Sequence, residues 1–229
     1  MTTIAANIAK VHDRIQHAAQ NCGRDVNNIT LLAVSKTRPA AAIAQAYHAG
    51  LRNVGENYAQ EAEQKLTELQ HLPLVWHFIG PLQSNKTRLI AERFHWLHSL
   101  DRLKIAERLQ AQRPAQLPPL NVCIELNIDD EASKSGLMPA ELPAFVQALC
   151  AMNRLAVRGV MVIPAANQSP EATLASFHRA ADCLRALQQQ FPQLPLDTLS
   201  MGMSSDLELA ITAGSTMVRV GTDIFGARI

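Results

Sequence analysis

The feature that most constrains the fold is an eightfold alternation of short apolar runs with helix-favouring stretches along the chain. We predict strands in the apolar runs, which cover residues 29–36, 52–57, 74–80, 96–100, 120–128, 157–163, 198–201 and 217–221. The helix-favouring stretches cover residues 40–49, 59–71, 86–93, 101–112, the segment after 139, 170–190 and 205–213. Such alternation is typical of a parallel sheet with helices packed outside it.

Chain length selects between the two ways in which such a sheet can be arranged. The chain has 229 residues, and a closed (β/α)8 barrel needs about 200 to 250. We therefore predict an α/β fold with one domain over residues 1–229, a TIM barrel. A doubly wound open sheet is the runner-up, but no G-x-G-x-x-G sequence follows any predicted strand. An extra amphipathic helix is expected before the barrel, because Ile4, Ile8, Val11 and Ile15 recur at helical spacing.

Composition argues against several classes of partner. The net charge is +1 and charged residues make up 18% of the chain, which disfavours duplex DNA or an anionic membrane surface. Aromatic residues are 4%, too few for a platform that stacks single-stranded bases. No apolar run approaches the length of a bilayer span, and polar residues interrupt the N-terminal segment where a signal peptide would be apolar. We expect a soluble cytoplasmic protein with no nucleic-acid and no membrane partner.

The cysteines and histidines show no disulfide or metal pattern. The four cysteines are Cys22, Cys123, Cys150 and Cys183. No C-x-x-C pair occurs and their surroundings are apolar, so we expect them to be reduced and structural. His95 and His98 lie three apart in a predicted strand and should face opposite ways, so no metal site is expected.

One lysine lies where a barrel of this kind places its active site, at the carboxyl end of a strand. Of the six lysines, only Lys36 closes an apolar strand. Two interpretations are open. In the first, the side chain of Lys36 extends from the strand end into water. In the second, apolar surroundings disfavour the ammonium and free the amine to attack a carbonyl and form a Schiff base.

The seventh and eighth units supply groups that suit a phosphate. Gly221 permits close backbone approach, Thr222 adds a hydroxyl at a helix start, and Ser204 lies beside the start of the preceding helix. The loops after strands 7 and 8 are the usual phosphate site of this fold. Helix capping would explain Ser204 or Thr222 singly. Together, opposite a Schiff-base lysine, they favour a ligand that carries both a carbonyl and a phosphate.

Three further residues near strand ends have a structural and a functional interpretation. Arg219 is predicted to face the barrel interior, where it either pairs with Glu56 or Glu125 or faces the pyridine nitrogen of pyridoxal phosphate. His77 is either a satisfied core histidine or a contact to a ring. Asn57 is a turn former by default.

Six motifs, in order along nearly the whole chain, carry a family resemblance. They are AVSK at 33–36, GENY at 55–58, HFIGPLQSNK at 77–86, SKSG at 133–136, LSMGMS at 199–204 and STMVRVGTDIFG at 215–226. In these motifs the chain resembles the pyridoxal phosphate homeostasis proteins, the YggS/PROSC family. No motif position departs from the family pattern.

The resemblance implies a barrel like the N-terminal domain of bacterial alanine racemase, with pyridoxal 5′-phosphate (PLP) as cofactor. It implies that Lys36 carries PLP as a Schiff base and that Arg219 faces the pyridine nitrogen. The residues implied to hold the phosphate are Ser204, Gly221 and Thr222.

Four more residues are assigned by the resemblance alone. Asn57 and His77 are implied to flank the cofactor ring. Lys86 and Lys134 also fall in family motifs, and secondary cofactor binding or release is implied for them.

This constellation is compatible with three functions. The first is a PLP carrier in cofactor homeostasis that delivers PLP to apoenzymes, the second an amino-acid racemase or decarboxylase, and the third a class I aldolase. An arginine opposite the pyridine nitrogen keeps that nitrogen unprotonated and the ring a weak electron sink, which disfavours decarboxylation. The aldolase interpretation gives Arg219 no role.

Racemisation needs a second proton-transfer residue, which the resemblance places in a second domain of a partner chain. Of the two tyrosines, Tyr47 lies in a predicted helix and Tyr58 follows Asn57, where packing is its expected role. We therefore predict a monomeric PLP carrier without catalytic residues and with little or no turnover. A PLP-dependent amino-acid racemase is the alternative.

Overall fold

Eight parallel strands form a closed barrel in the computed structural model, which describes residues 3–227. The strands are β1 Thr30–Val34, β2 Asn53–Glu56, β3 Val75–Phe78, β4 Trp96–Leu100, β5 Leu120–Leu126, β6 Leu155–Val162, β7 Thr198–Ser200 and β8 Met217–Val220. Each strand pairs with the next, and β8 pairs back with β1. This confirms the TIM barrel and excludes the open doubly wound sheet. The outermost ends of the expected 1–229 domain lie outside the described residues.

Helices follow the strands and cover the outside of the barrel. Those of residues 3–227 are α1 Ile4–Asn21, α2 Ala40–His48, α3 Ala59–Glu68, α4 Thr87–Arg93, α5 Leu103–Gln112, α6 Leu142–Leu149, α7 Pro170–Gln190, α8 Leu207–Thr212 and α9 Thr222–Phe225. Short 3-10 turns occupy Val26–Asn28, Ser84–Lys86 and Pro139–Glu141. The expected order of elements is confirmed.

The extra N-terminal helix is present as α1. Its Thr3 cap accepts a hydrogen bond from the Ala6 N–H at 3.2 Å, and its apolar stripe of Ile8, Val11 and Ile15 is buried. This stripe belongs to a cluster with residues of β1, β8 and α8. The helix therefore lies on the side of the barrel where the first and last strands meet.

The larger core lies between the barrel and the surrounding helices. Its fully buried side chains include Phe78, Phe94, Leu97 and Phe177. Barrel strands are covered on both faces, which explains why they are continuous apolar runs rather than alternating ones. Polar residues where a run ends therefore mark the mouth of the barrel.

Asp101 is predicted to be the N-cap residue at the start of α5, and this prediction is wrong. The helix begins at Leu103, and its N-cap residue Arg102 makes no side-chain cap. Asp101 instead accepts a hydrogen bond from Arg102 Nε at 2.9 Å. An acidic residue before a helix therefore did not act as its cap here.

The sequence Ser205-Asp206-Leu207-Glu208 predicts a capping box that opens α8, and this prediction is also wrong. The helix begins at Leu207 after Asp206, so Ser205 is not the N-cap residue. The Asp206 carboxylate accepts from the Met203 N–H at 2.5 Å and ties down the loop that precedes the helix.

The cysteines are unpaired throughout the described part of the chain. Cys123 is buried, and burial raises the pKa of its thiol to about 12. Cys150 is exposed, so the expectation of apolar surroundings is wrong for that residue. Between residues 3 and 227, no helix combines the length and apolar character that crossing a membrane requires.

Candidate functional site

A cavity of about 490 Å³ opens at the carboxyl ends of β1, β2, β7 and β8. It brings together six of the seven predicted site residues: Lys36, Asn57, Ser204, Arg219, Gly221 and Thr222. The other lining residues are Val34, Ile79, Ile163, Met203, Ser205 and Asp223. Apolar walls with a few convergent polar groups are typical of a small-molecule site.

Lys36 reaches this cavity because β1 ends two residues before it. Ser35 and Lys36 follow the last residue of β1, and the Ser35 N–H still donates to Gly55 O of β2 at 2.9 Å. Their side chains point to opposite sides of the barrel wall. Lys36 is half-buried and lines the cavity, whereas Ser35 is fully buried and donates to Glu56 Oε1 at 2.5 Å.

A buried lysine holds the backbone just before Lys36. Lys65 of α3 donates to the carbonyl oxygen of Ser35 at 2.8 Å, and it also bonds Glu56 Oε1 at 2.7 Å and Glu61 Oε1 at 2.6 Å. Burial raises the pKa of Glu56, and Lys65 and Ser35 offset that rise in part. Because Lys65 is only 5% exposed, water screens these contacts little.

The backbone just after Lys36 is held in a strained conformation. Thr37 has φ of 62°, a left-handed value that a β-branched residue rarely adopts. Its N–H donates to Glu61 Oε1 at 2.7 Å, the same oxygen that Lys65 binds. Lys36 is therefore fixed from both sides by one cluster that lies between the barrel and α3.

The phosphate-suited loops after β7 and β8 are joined by α1. Arg14 Nη2 donates to the carbonyl oxygen of Ser204 at 2.9 Å, and Nη1 bonds Asp223 Oδ2 at 2.5 Å. Arg14 also pairs with Glu208 of α8 at 2.7 Å. These contacts fix the loop of Ser204 relative to the start of α9.

Gly221 lies close to the backbone of β1, so a side chain at this position would require a neighbouring atom to shift. A Cβ placed at position 221 would lie 3.1 Å from the carbonyl oxygen of Val34. The chain then enters α9 at Thr222, and the first N–H groups of a helix lack intrahelical acceptors. Backbone donors and the exposed Thr222 hydroxyl thus lie at one edge of the cavity.

Arg219 is a buried cation, 4% exposed, and it forms no ion pair with any carboxylate of residues 3–227. Nη1 donates to the carbonyl and hydroxyl oxygens of Ser200 at 2.6 and 2.9 Å, and Nη2 donates to Val162 O at 2.9 Å. The alternative of an ion pair with Glu56 or Glu125 is therefore wrong. Glu56 points to Lys65 instead. Burial lowers the pKa of Arg219 to about 10, so it stays charged at neutral pH.

Asn57 lines the cavity through a tightly packed turn. A Cβ at Gly80 would lie 2.2 Å from the Asn57 carbonyl oxygen, so the loop after β3 passes directly against this residue. The buried Asn57 Oδ1 has no hydrogen-bond partner. A buried amide oxygen without a donor is costly, and a ligand that supplies a donor would remove that cost.

His77 is the predicted site residue that the structure does not bring to the cavity. Its side chain is fully buried inside the barrel, where Nδ1 lies 3.0 Å from His98 Nε2 and Nε2 lies 3.1 Å from Asn53 Oδ1. This arrangement favours the interpretation of His77 as a satisfied core histidine.

Lys86 and Tyr58 line a separate, neighbouring cavity of about 520 Å³, which shares Asn57 with the first. Tyr58, for which packing is expected, is 56% exposed, so most of its surface does not pack against the protein. Lys134 lines a third, smaller cavity, where it donates to the carbonyl oxygen of Pro164 at 2.7 Å and pairs with Glu131.

Two supporting residues had no signal in the linear sequence. Arg14 lies 190 positions from Ser204, and Lys65 lies 30 from Ser35. Lys65 is a lysine on the apolar side of an amphipathic helix, which is the one pattern that could have drawn attention to it. No cluster of histidine, cysteine and carboxylate groups suited to a metal occurs in residues 3–227.

The fold and cavity place the chain in a known class of barrel. The family model described as alanine racemase, N-terminal domain, matches residues 7–229. A pyridoxal phosphate homeostasis protein of Pseudomonas aeruginosa is 59% identical over 228 residues, covering 100% of this chain and 97% of the relative. The one of Escherichia coli K12 is 54% identical over 231 residues, with 100% and 98% covered. The chain belongs to the family of pyridoxal phosphate homeostasis proteins.

Solved structures agree with this membership. The structure of PipY from Synechococcus elongatus with PLP bound has a TM-score of 0.86 and 40% identity, covering 98% of this chain and 100% of that one. PipY without PLP has a TM-score of 0.88 and 41% identity over the same shares. Alanine racemase from Corynebacterium glutamicum has a TM-score of 0.65 over 94% of this chain and 61% of its own. At 17% identity, that last likeness concerns the fold alone.

Proposed function

We propose that this chain binds PLP as a Schiff base on Lys36 and serves PLP homeostasis by holding the cofactor and delivering it to apoenzymes. One observation carries the proposal: a strand-end lysine, a buried arginine without a carboxylate partner and two anion-suited loops surround the same cavity. The family membership and the PLP-bound structure of PipY support it.

Each part of the cavity matches one part of the cofactor. The Lys36 amine condenses with an aldehyde and releases water. Ser204, Gly221 and Thr222 suit a phosphate, because hydroxyls and unpaired backbone N–H groups bind anions. Arg219 would face the pyridine nitrogen, and a donor group of the ligand would satisfy the unpartnered Asn57 Oδ1.

Arg219 also determines what the bound cofactor can do. When bound, PLP supplies an electron sink whose strength depends on protonation of its pyridine nitrogen. Arg219 remains a cation at neutral pH and is a donor only, so it leaves that nitrogen unprotonated. The chain's own residues thus favour storage of the cofactor over strong carbanion stabilisation.

The racemase alternative needs a second proton-transfer group on the far side of the ring. Tyr58, the candidate for this role, is exposed and lines the neighbouring cavity rather than the one at Lys36. The carboxylate in the lining, Asp223, is bound by Arg14. We therefore propose little or no turnover in a monomeric cytoplasmic protein.

An assay of PLP transfer to an apoenzyme distinguishes the PLP carrier from the racemase. The protein loaded with PLP is mixed with a PLP-dependent apoenzyme, with a phosphatase present to destroy free PLP. We expect the apoenzyme to regain activity, and we expect no gain when the Lys36→Ala variant is taken through the same loading. Racemisation of a common amino acid at enzyme-like rates by the loaded protein would instead support the racemase.

A further inference from the structure

A line of buried polar side chains runs from Arg219 through the barrel interior. Arg219 Nη1 lies 2.9 Å from Ser200 Oγ, which lies 2.9 Å from His98 Nδ1. His98 Nε2 lies 3.0 Å from His77 Nδ1, and His77 Nε2 lies 3.1 Å from Asn53 Oδ1. Ser200, His98 and His77 are all fully buried. One end of this line therefore borders the cofactor cavity and the other lies at the start of β2.

Arg219 fixes the direction in which these groups donate, because a guanidinium has only donors. Ser200 Oγ accepts from Arg219, which leaves its hydroxyl proton for His98 Nδ1. With Nδ1 accepting, neutral His98 carries its proton on Nε2 and donates to His77 Nδ1. His77 then donates from Nε2 to Asn53 Oδ1. The Ser200 hydroxyl and all four ring nitrogens of the two histidines then have a complementary partner.

The opposite direction leaves buried groups unsatisfied. If His98 Nδ1 carried the proton, Ser200 Oγ would accept twice, and its own proton would have no acceptor within residues 3–227. His77 Nε2 would then be an acceptor that faces a second acceptor, Asn53 Oδ1, with no proton between them. Interiors tolerate few such unsatisfied groups.

The surroundings keep both imidazoles neutral, as the line requires. Burial, together with His98 and His95, lowers the pKa of His77 well below its ordinary value. Burial and the charge of Arg219 lower the pKa of His98 to about 3. Trp96 stacks on the His77 ring at 5.4 Å between centroids. No carboxylate of residues 3–227 bonds either ring, so nothing favours the imidazolium.

The line and two backbone oxygens together decide which donors of Arg219 are left for a ligand. A guanidinium has five N–H donors, and protein oxygens take three of them: Ser200 O, Ser200 Oγ and Val162 O. The remaining two have no acceptor within residues 3–227. Because Nη1 and Nη2 are both anchored, the plane of the guanidinium is set by β6 and β7.

We propose that Ser200, His98 and His77 are positioning residues that hold Arg219 in one orientation toward the cofactor cavity through a one-way chain of hydrogen bonds. In this chain both histidines are in the Nε2–H tautomer. The identity of the ligand group that Arg219 faces rests on the proposed function. The chain of hydrogen bonds does not, because it is present in the protein without cofactor.

The first test is ¹⁵N NMR of histidine-labelled protein without cofactor. We expect His77 and His98 each to show a protonated Nε2 and an accepting Nδ1, with no titration between about pH 5.5 and 8. In Ser200→Ala, the His98 Nδ1 signal moves to the position of a nitrogen without a donor. A proton on His98 Nδ1, or an imidazolium in this pH range, overturns the proposal even if PLP binds as proposed.

The second test follows the effect on bound PLP, with Ser215→Ala as the matched control. Ser215 is also a fully buried serine; its hydroxyl donates to Met201 O at 2.7 Å and lies outside the chain. We expect Ser200→Ala to weaken PLP binding roughly three- to tenfold and to shift the visible absorbance maximum or its pH profile. Ser215→Ala should lose stability but keep affinity and spectrum.

Two outcomes distinguish a failure of the positioning role inferred here from a failure of the proposed PLP-binding function. If both serine variants change affinity and spectrum alike, the effect is general loss of packing and the positioning role is refuted. If wild-type protein binds no PLP at all, the proposed function fails, while the NMR result still decides the direction of the chain.

Discussion

Arg14 Nη2 lies 2.9 Å from the carbonyl oxygen of Ser204, across 190 positions of sequence. The same guanidinium bonds Asp223 at the start of α9 and Glu208 in α8. The helix that precedes the barrel thus holds the two loops proposed to bind phosphate. Its contribution to cofactor binding acts through these loops, because Arg14 is not among the residues that line the cavity.

Arg14→Met should lower PLP affinity without changing the attachment site. The charge-assisted bonds of Arg14 are partly solvent-exposed, so we expect a loss of roughly three- to tenfold rather than the full value of buried bonds. The measurement is PLP titration by absorbance. Arg24→Met is the control, because Arg24 donates to Ile211 O at 2.7 Å in α8 and does not bond either loop. Equal losses in the two variants would refute the loop-holding role.

Lys65→Met should be strongly destabilising because it leaves the Glu56 carboxylate buried without its cation. Breaking a buried pair in this way costs about 3–5 kcal/mol. The double variant Lys65→Met with Glu56→Gln should recover part of that loss, since the remaining group is neutral. The measurement is urea unfolding of four proteins: the wild type, both single variants and the double variant. Their unfolding free energies give the coupling energy between Lys65 and Glu56. Strictly additive free energies would contradict the cluster.

Glu125 gives the protein a pH-dependent stability with a definite sign. Burial and nearby Asp101 raise the pKa of Glu125 from 4.5 to about 7, and Arg219 offsets this only in part. Between pH 4.5 and pH 7 the folded state binds more protons at Glu125 than the unfolded state does. The free energy of unfolding therefore falls as the pH rises from 4.5 through 7. Its contribution is fully present below 4.5 and lost above 7.

Glu125→Gln should remove this dependence. Relative to the variant, wild-type protein should lose roughly 1–3 kcal/mol of unfolding free energy between pH 5 and pH 8. Urea unfolding at several pH values measures the difference. Parallel stability curves for the two proteins would show that Glu125 does not titrate in this range.

Much of the fold follows from local pattern. Strands buried on both faces leave continuous apolar runs, and each run ends in polar residues at the barrel mouth. For this reason Lys36, Ser204 and Arg219 could be placed at one cavity before any coordinates were known. Two helix starts differ from the prediction: Asp101 accepts from Arg102 and does not cap its helix, and α8 begins after Asp206, so Ser205 is not its N-cap.

The sequence does not determine two properties of a residue at a strand end. One is whether its side chain points into the barrel or toward the helices, and the other is which residue it contacts there. The sequence makes Glu56 a candidate partner of Arg219, yet Glu56 pairs with Lys65. The sequence also makes His77 a candidate contact to the cofactor ring, yet His77 bonds His98 within the barrel. Both outcomes depend on strand register and on contacts between elements that are distant in sequence. A one-residue shift of register would turn every side chain of a strand to the opposite face of the sheet.

Chemical mapping of the adduct tests the central claim most directly. The protein is incubated with PLP, reduced with borohydride, digested and analysed by peptide mass spectrometry, with the Lys36→Ala variant alongside. We predict a pyridoxyl phosphate group on Lys36 and loss of the visible absorbance band in the variant. Labelling of Lys86 or Lys134 with Lys36 unmodified, or wild-type protein that stays colourless with added PLP, would contradict it.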